Sequence, residues 1–285
     1  MTRILADVGG TNTRMARSAD GTLDPSTLRW FRNDDFPDFA SVLAAYGTGG
    51  AAELCVAIAG PVTGRIARLT NRNWTIDADA FGLPCTLMND LQAVGFALDV
   101  LPDGAMAPIC PGAASPGAQR LVVGLGTGVN VSLVAGSEVL RAELGHASLP
   151  SAVADGLMAT LGKAPFASIE EAFCGKGLER LHTLRTGHAV PAAQIIAEAP
   201  QSVRLYAEAL GRLTTQLVYI YLPLGGIVLN GGLARAVMGT AEGRTGFANG
   251  FRMDAALGGQ FALIPVDLVT DDAAALYGCA QVHHP

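Results

Sequence analysis

Twice the chain runs from an apolar strand through a glycine-rich polar turn into a second strand. ILADVGGTNTRMA (4–16) and LVVGLGTGVNVSLVAG (121–136) both follow this scheme. The flanks read as paired strands, 3–8 with 13–18 in the first case. The tips carry more polar groups than a plain hairpin needs. A third glycine turn, LNGGL (229–233), ends the buried-strand signal GGIVLNGGL (225–233). Glycine admits positive φ and lets backbone amides come close to a ligand. Consecutive amides in such a turn form an anion-binding concavity. The echo between the first two stretches suggests two related halves.

Strands and helices alternate around these turns. ELCVAIAG (53–60) is a buried strand ending at Gly60-Pro61, and PCTLMND (84–90) is a strand with a polar end. A helix is expected at 91–101, where Leu91, Val94, Leu98 and Leu101 share a face. Residues 101–119, rich in Gly, Pro and Ala, read as a linker or long surface loop. Further helices are expected at 152–162, 168–185 and 201–221, and again in ARAVMGTA (234–241). A strand at 261–269 and a closing helix at 271–282 complete the chain. The class is α/β.

Composition excludes several functions. Of 285 residues half are hydrophobic and 15% are charged, enough for one large core or two ordinary ones. The net charge of −6 comes without a basic run, which disfavours nucleic acid as a partner. No apolar run is long and unbroken enough to span a bilayer, and no leader pattern precedes the first strand. A cytoplasmic protein is expected. The five cysteines, Cys55, Cys85, Cys110, Cys174 and Cys279, are widely spaced with no CxxC pair, against zinc and against a disulfide framework.

The familiar phosphate loops do not fit. LGKAP and CGKGL lack the Ser/Thr and the earlier glycine of a Walker loop, and GLGTGV fails GxGxxG and enters a strand. Asp90 stands where a strand hands over to a helix, the edge at which open α/β sheets meet ligands. It reads either as a base for phosphoryl transfer or as a helix N-cap. Capping would consume its acceptor oxygens, so the two roles compete. Glu143 and His146 in RAELGHASL offer groups that bind sugar hydroxyls as well as structural ones. SIEE (168–171) has the form of a capping box, which would use Glu171 and leave Glu170 free.

DVGGTNTR, CVAIAGPVTGRIARLTNRNW, LMNDLQAVGFAL, GLGTGVNVS, ELGH and LNGGL together resemble the bacterial glucokinase family, ATP-dependent and hexokinase-like, of the sugar kinase/Hsp70/actin superfamily. The matches run in order from residue 3 to about 280. The cysteine cluster of the related repressor/ORF/kinase branch is missing. The resemblance implies two RNase H-like lobes with an interlobe cleft. Residues 1–112 plus 270–285 would form the smaller lobe and 113–269 the larger. It implies ATP-dependent phosphorylation of glucose at the 6-hydroxyl with Asp90 as general base. Asn89, Glu143, His146 and Glu170 would bind the sugar. Asp7, Val8, Gly9, Gly10, Thr11 and Asn12, with Gly126, Thr127 and Gly128, would hold the phosphates of ATP, and Gly231 and Gly232 its adenosine side. Asp7 would orient Mg²⁺ through water. No nucleic acid or membrane is expected, and the assembly is expected to be a homodimer. Leu144 stands where the family commonly has glycine, and the chain is short between His146 and Glu170 and after Gly232, so another hexose stays open. The rivals are a non-catalytic sugar sensor and an ATPase or acyl-activating member of the superfamily.

Overall fold

The computed structural model describes residues 2–163, 165–251 and 264–282. The chain divides into two compact units. One holds residues 1–105, 137–139 and 271–285; the other holds 106–136 and 140–270.

The first unit is built on β1 (Thr2–Val8), β2 (Asn12–Ala19), β3 (Thr22–Arg32), β4 (Glu53–Ile58) and the later strand Cys85–Asn89. The first three strands are antiparallel neighbours, and β4 runs parallel to β1. Leu54, Val56 and Ile58 of β4 are buried on one face, Cys55 and Ala57 on the other. Such double burial explains why the segment is apolar without alternation. Ile4, Ala6 and Val8 pack with helix α1 (Phe39–Tyr46) on one side of the sheet. Asp38 starts α1, its carboxylate accepting the Ser41 N–H at 2.8 Å. A three-stranded sheet follows, β5 (Val62–Thr63), β6 (Ile66–Arg68) and β7 (Thr75–Asp77). The strand Cys85–Asn89 is then β8, parallel to β4, and leads into α2 (Asp90–Ala97). This helix is shorter than the expected 91–101. The C-terminal helix, Ala274–Gln281, packs on α2 and on β1.

The second unit repeats this order. Its sheet contains β9 (Met106–Cys110), β10 (Arg120–Leu125), β11 (Val129–Ala135), β12 (Glu138–Arg141), β13 (Ile227–Asn230) and β14 (Val266–Val269). The sequence of neighbours β12-β11-β10-β13-β14 matches β3-β2-β1-β4-β8, with β9 added at the edge. The hairpin β10–β11 thus takes the place of β1–β2. β9 corrects the reading of 101–119 as linker. Met106–Cys110 pairs antiparallel with β14, and hydrogen bonding to an existing sheet edge overrode its proline and alanine content. The expected strand at 261–269 is described from residue 264 only, and its start lies outside the described residues.

Helices α3 (Ser151–Leu161), α4 (Ile169–Phe173), α5 (Gly175–Thr186), α6 (Ala192–Glu198), α7 (Pro200–Tyr221), α8 (Gly232–Met238) and α9 (Ala241–Gly250) complete this unit. The helix expected at 168–185 is two helices, broken at Cys174, whose backbone is extended. α7 crosses the unit with Val203, Tyr206, Leu210, Leu213 and Leu217 buried, a 3–4 spacing that fits its inward face.

Candidate active site

The first glycine turn sits at the carboxyl end of β1. Its geometry differs from expectation: neither Gly9 nor Gly10 has positive φ. The Gly9 N–H donates to Asn12 O at 3.0 Å and closes the hairpin. Among the described residues, the N–H groups of Gly10 and Thr11 have no acceptor, so these two amides are the ones presented. Thr11 is exposed, and Asn12 starts β2. Val8 differs from the rest of the set. Its side chain is fully buried in the core, and its carbonyl takes the Ala59 N–H at 3.0 Å.

Two residues that sequence reasoning missed brace this turn. Asn33 is buried and bonds three residues of the stretch 9–13. It donates from Nδ2 to Gly9 O at 2.7 Å and from its backbone to Thr11 O at 2.9 Å, and it accepts from Thr13 Oγ1 at 2.8 Å. Arg72 donates to Gly10 O at 3.1 Å and to Asn33 O at 3.2 Å, and pairs with Asp34. A motif search by type and spacing has no reason to choose them, because both reach the turn from far along the chain. The one available signal was Arg72 within TNRNW.

Asp7 is 7% exposed. Burial raises its pKa, and the Arg14 guanidinium, bonded to Oδ2 at 2.8 Å, opposes that rise. Asp90 is half-buried at the first turn of α2. Its pKa is pushed up to about 7, first by burial and then by the negative charge of Asp7. The helix cap is Asn89: its Oδ1 accepts the Leu91 N–H at 3.0 Å, while its Nδ2 donates to Gly60 O at 3.3 Å. Asp90 Oδ1 shares the Leu91 N–H at 2.9 Å. The choice between capping and chemistry is therefore softer than the sequence suggested: Asn89 is the cap and shares the Leu91 N–H with one oxygen of Asp90, and the same N–H engages only Oδ1 of that carboxylate.

In the second unit the turn after β10 is held differently. Gly126 donates to Gly128 O at 3.0 Å and accepts from Gly175 N–H at 3.1 Å. Thr127 is exposed at the tip. Glu170 is not free, contrary to the capping-box argument. Its Oε2 accepts the Val129 N–H at 3.2 Å, and a Cβ on Gly128 would stand 2.6 Å from that oxygen. The box itself is half-formed. Ser168 Oγ accepts the Glu171 N–H at 3.2 Å, but the Glu171 carboxylate takes the N–H of Ala167.

Glu143 precedes a short 3-10 turn, Leu144–His146, and His146 ends it; both are exposed. Asn130, another residue missed, holds Glu143 and the start of this turn. Its Nδ2 donates to Glu143 Oε2 at 3.1 Å and its Oδ1 accepts the Leu144 N–H at 3.0 Å. Gly145 lies against Glu170, where an added Cβ would be 3.3 Å from Oε2. Glu143, His146 and Glu170 are thus brought together around one turn. Leu144 is partly buried against the unit's core. Gly231, at the end of β13, has φ +106°, and a Cβ there would stand 2.3 Å from Leu125 O. Gly232 opens α8. Both therefore adjoin the β10 turn in the same sheet.

Two sheets of one topology, each with a glycine turn beyond its parallel strands and a carboxylate set beside it, define the class as a two-unit α/β kinase fold of the sugar-kinase kind. Solved structures share it. A glucokinase from an Antarctic psychrotroph matches with a TM-score of 0.80 and 24% identity, covering 98% of each chain. A ROK family glucokinase from Streptomyces griseus, in complex with glucose and AMPPNP, matches with a TM-score of 0.66 and 16% identity, covering 99% of this chain and 98% of that one. Among curated relatives, the glucokinase of Marinobacter nauticus is 27% identical over 98% of this chain and 96% of its own. That of Chromobacterium violaceum is 28% identical over 98% and 88%. A family model described as Glucokinase matches residues 4–285, and the chain belongs to the glucokinase family.

Proposed function

We propose that the protein transfers the γ-phosphoryl group of ATP to the 6-hydroxyl of glucose, with Asp90 as general base. Family membership supports the reaction. The observation that carries the role of Asp90 is its place: a carboxylate on the first turn of α2, with its neighbour Asn89 as cap, beside the buried Asp7. A proton affinity near neutrality suits a group that must take a proton from an alcohol and release it afterwards. Transfer needs little covalent chemistry from the protein, so positioning and charge carry the rate.

The Gly10 and Thr11 amides with Asn12 would receive the donor phosphates, aided by Thr127 and Gly128 of the second turn. Gly231 and Gly232 would serve the nucleoside end. Asn89, Glu143, His146 and Glu170 would bind the sugar hydroxyls, each of which donates and accepts. Among the described residues no group of three metal-ligating side chains exists. Asp7, buried with Oδ2 bonded to Arg14, offers a single carboxylate and so would suit a Mg²⁺ that keeps its water and arrives on the phosphates. When bound, that cation would supply charge neutralisation at the transferring group. Asp90→Asn should reduce kcat by at least about 10²-fold and leave calorimetric glucose affinity within about twofold. Near-normal turnover in that variant would sink the assignment. A coupled assay over glucose, mannose, fructose and glucosamine, with ATP and polyphosphate as donors, tests the substrate pair.

A further inference from the structure

Arg14 has no task in the scheme above, yet it is among the most constrained side chains of the first unit. Its Nη1 donates to Asp7 Oδ2 at 2.8 Å, and its Nη2 lies 3.8 Å from Asp272 Oδ1. Its guanidinium carbon stands 4.3 Å over the ring of Trp30. Strand register produces this stack. Asp7, Arg14 and Trp30 are directly opposed on β1, β2 and β3, so their side chains leave the same face of the sheet. Trp30 is 51% exposed and roofs the guanidinium. Among the described residues Arg14 Nε is buried and meets no hydrogen-bond partner, an unfavourable arrangement that a solvated surface charge would avoid. Asp7, Asp272 and Trp30 hold the group in place despite that cost.

The geometry points to Arg14 as a positioning residue for the phosphoryl donor. We infer that its fork, pinned between Trp30 and Asp272, fixes the Asp7 carboxylate with Oδ2 committed. Oδ1 then meets the hydrated divalent cation of the nucleotide in a single orientation. This rests on the donor-site reading above. A lysine cannot reproduce it, because an ammonium neither forks between two carboxylates nor stacks flat on an indole. Arg14 acts through Asp7 and touches no substrate.

The test is calorimetric titration of wild type, Arg14→Met and Arg14→Lys with ATP in Mg²⁺, with ATP in EDTA and with glucose, folding being checked by circular dichroism. Arg14→Met should weaken MgATP binding about tenfold or more, as for lost outer-shell partners of metal ligands. Arg14→Lys should weaken it by a smaller factor, above about threefold on the same reasoning. Both should leave metal-free ATP and glucose within about twofold of wild type. If Arg14→Met does not fold, Arg14→Lys alone decides. Equal loss for MgATP and metal-free ATP would mean that Arg14 contacts the nucleotide itself and would overturn the inference, as would unchanged MgATP affinity. Wild type that binds no MgATP would overturn the donor-site reading and this inference with it, and that failure is told apart by appearing in the unmutated protein.

Discussion

At the residue scale Asp90 makes the sharpest demand. Only its ionised form can accept a proton, and its pKa stands at about 7. The expected kcat/KM therefore falls about tenfold per pH unit below that value and levels off above it. Stability runs the other way. The folded protein holds the Asp90 proton up to about pH 7, whereas the unfolded chain releases it near 3.8, so the folded state binds more protons between these values. Stability contributed by this group is thus lost as pH rises through that window. Asp90→Asn should stabilise the protein at pH 8, on the order of 2 kcal/mol, and by little at pH 4. Denaturant melts at the two pH values check this. A variant that is inactive but more stable at pH 8 would separate chemistry from folding at one carboxylate.

At the element scale the glycines divide by what their missing Cβ would strike. At Gly128 the nearest atom is Glu170 Oε2 at 2.6 Å, the end of a side chain that can swing away. Gly128→Ala should therefore fold, with Glu170 displaced and the glucose KM raised about tenfold, the loss of one hydrogen bond to a charged group. At Gly145 the nearest atom is the Val129 carbonyl at 2.4 Å, which belongs to β11 and cannot yield alone. Gly145→Ala should cost about 1–3 kcal/mol of stability, read from the shift in denaturation midpoint. The sequence marked the first of these glycines as a phosphate-turn residue. Its packing against Glu170, more than forty residues on, could not be read from the turn, whose local pattern carries no information about what approaches it.

At the scale of the whole molecule the first unit is closed by the last helix. Gly278 of that helix lies against α2, where a Cβ would stand 1.7 Å from Ala93 O. Gly278→Ala should destabilise the first unit by at least about 2 kcal/mol, since two helix backbones would have to separate. Hydrogen exchange of β1 and α2 amides checks it, because the expected loss of protection is confined to that unit.

What the sequence determined by itself was the class of fold, the three glycine turns and the acidic and polar residues beside them. Apolar periodicity is a local consequence of which face is buried, and turn chemistry is a local consequence of which backbone angles are allowed. Asp90 at a strand–helix junction was legible for the same reason, as were Glu143 and His146, three positions apart in one short segment. The tertiary structure alone decided that Asn33 and Arg72 brace the first turn, that Asn130 and Val129 align Glu143 and Glu170, and that Arg14 lies under Trp30 against Asp7. Each of these is a hydrogen bond, an ion pair or a stack whose partner is fixed by strand register or by packing of distant segments. β9 shows the same limit in the fold: Met106–Cys110 became a strand because β14 offered an edge, not because its own residues asked for one. Local preference wrote the elements and their polar tips; the energy of non-local contacts chose which side chains those tips would hold still.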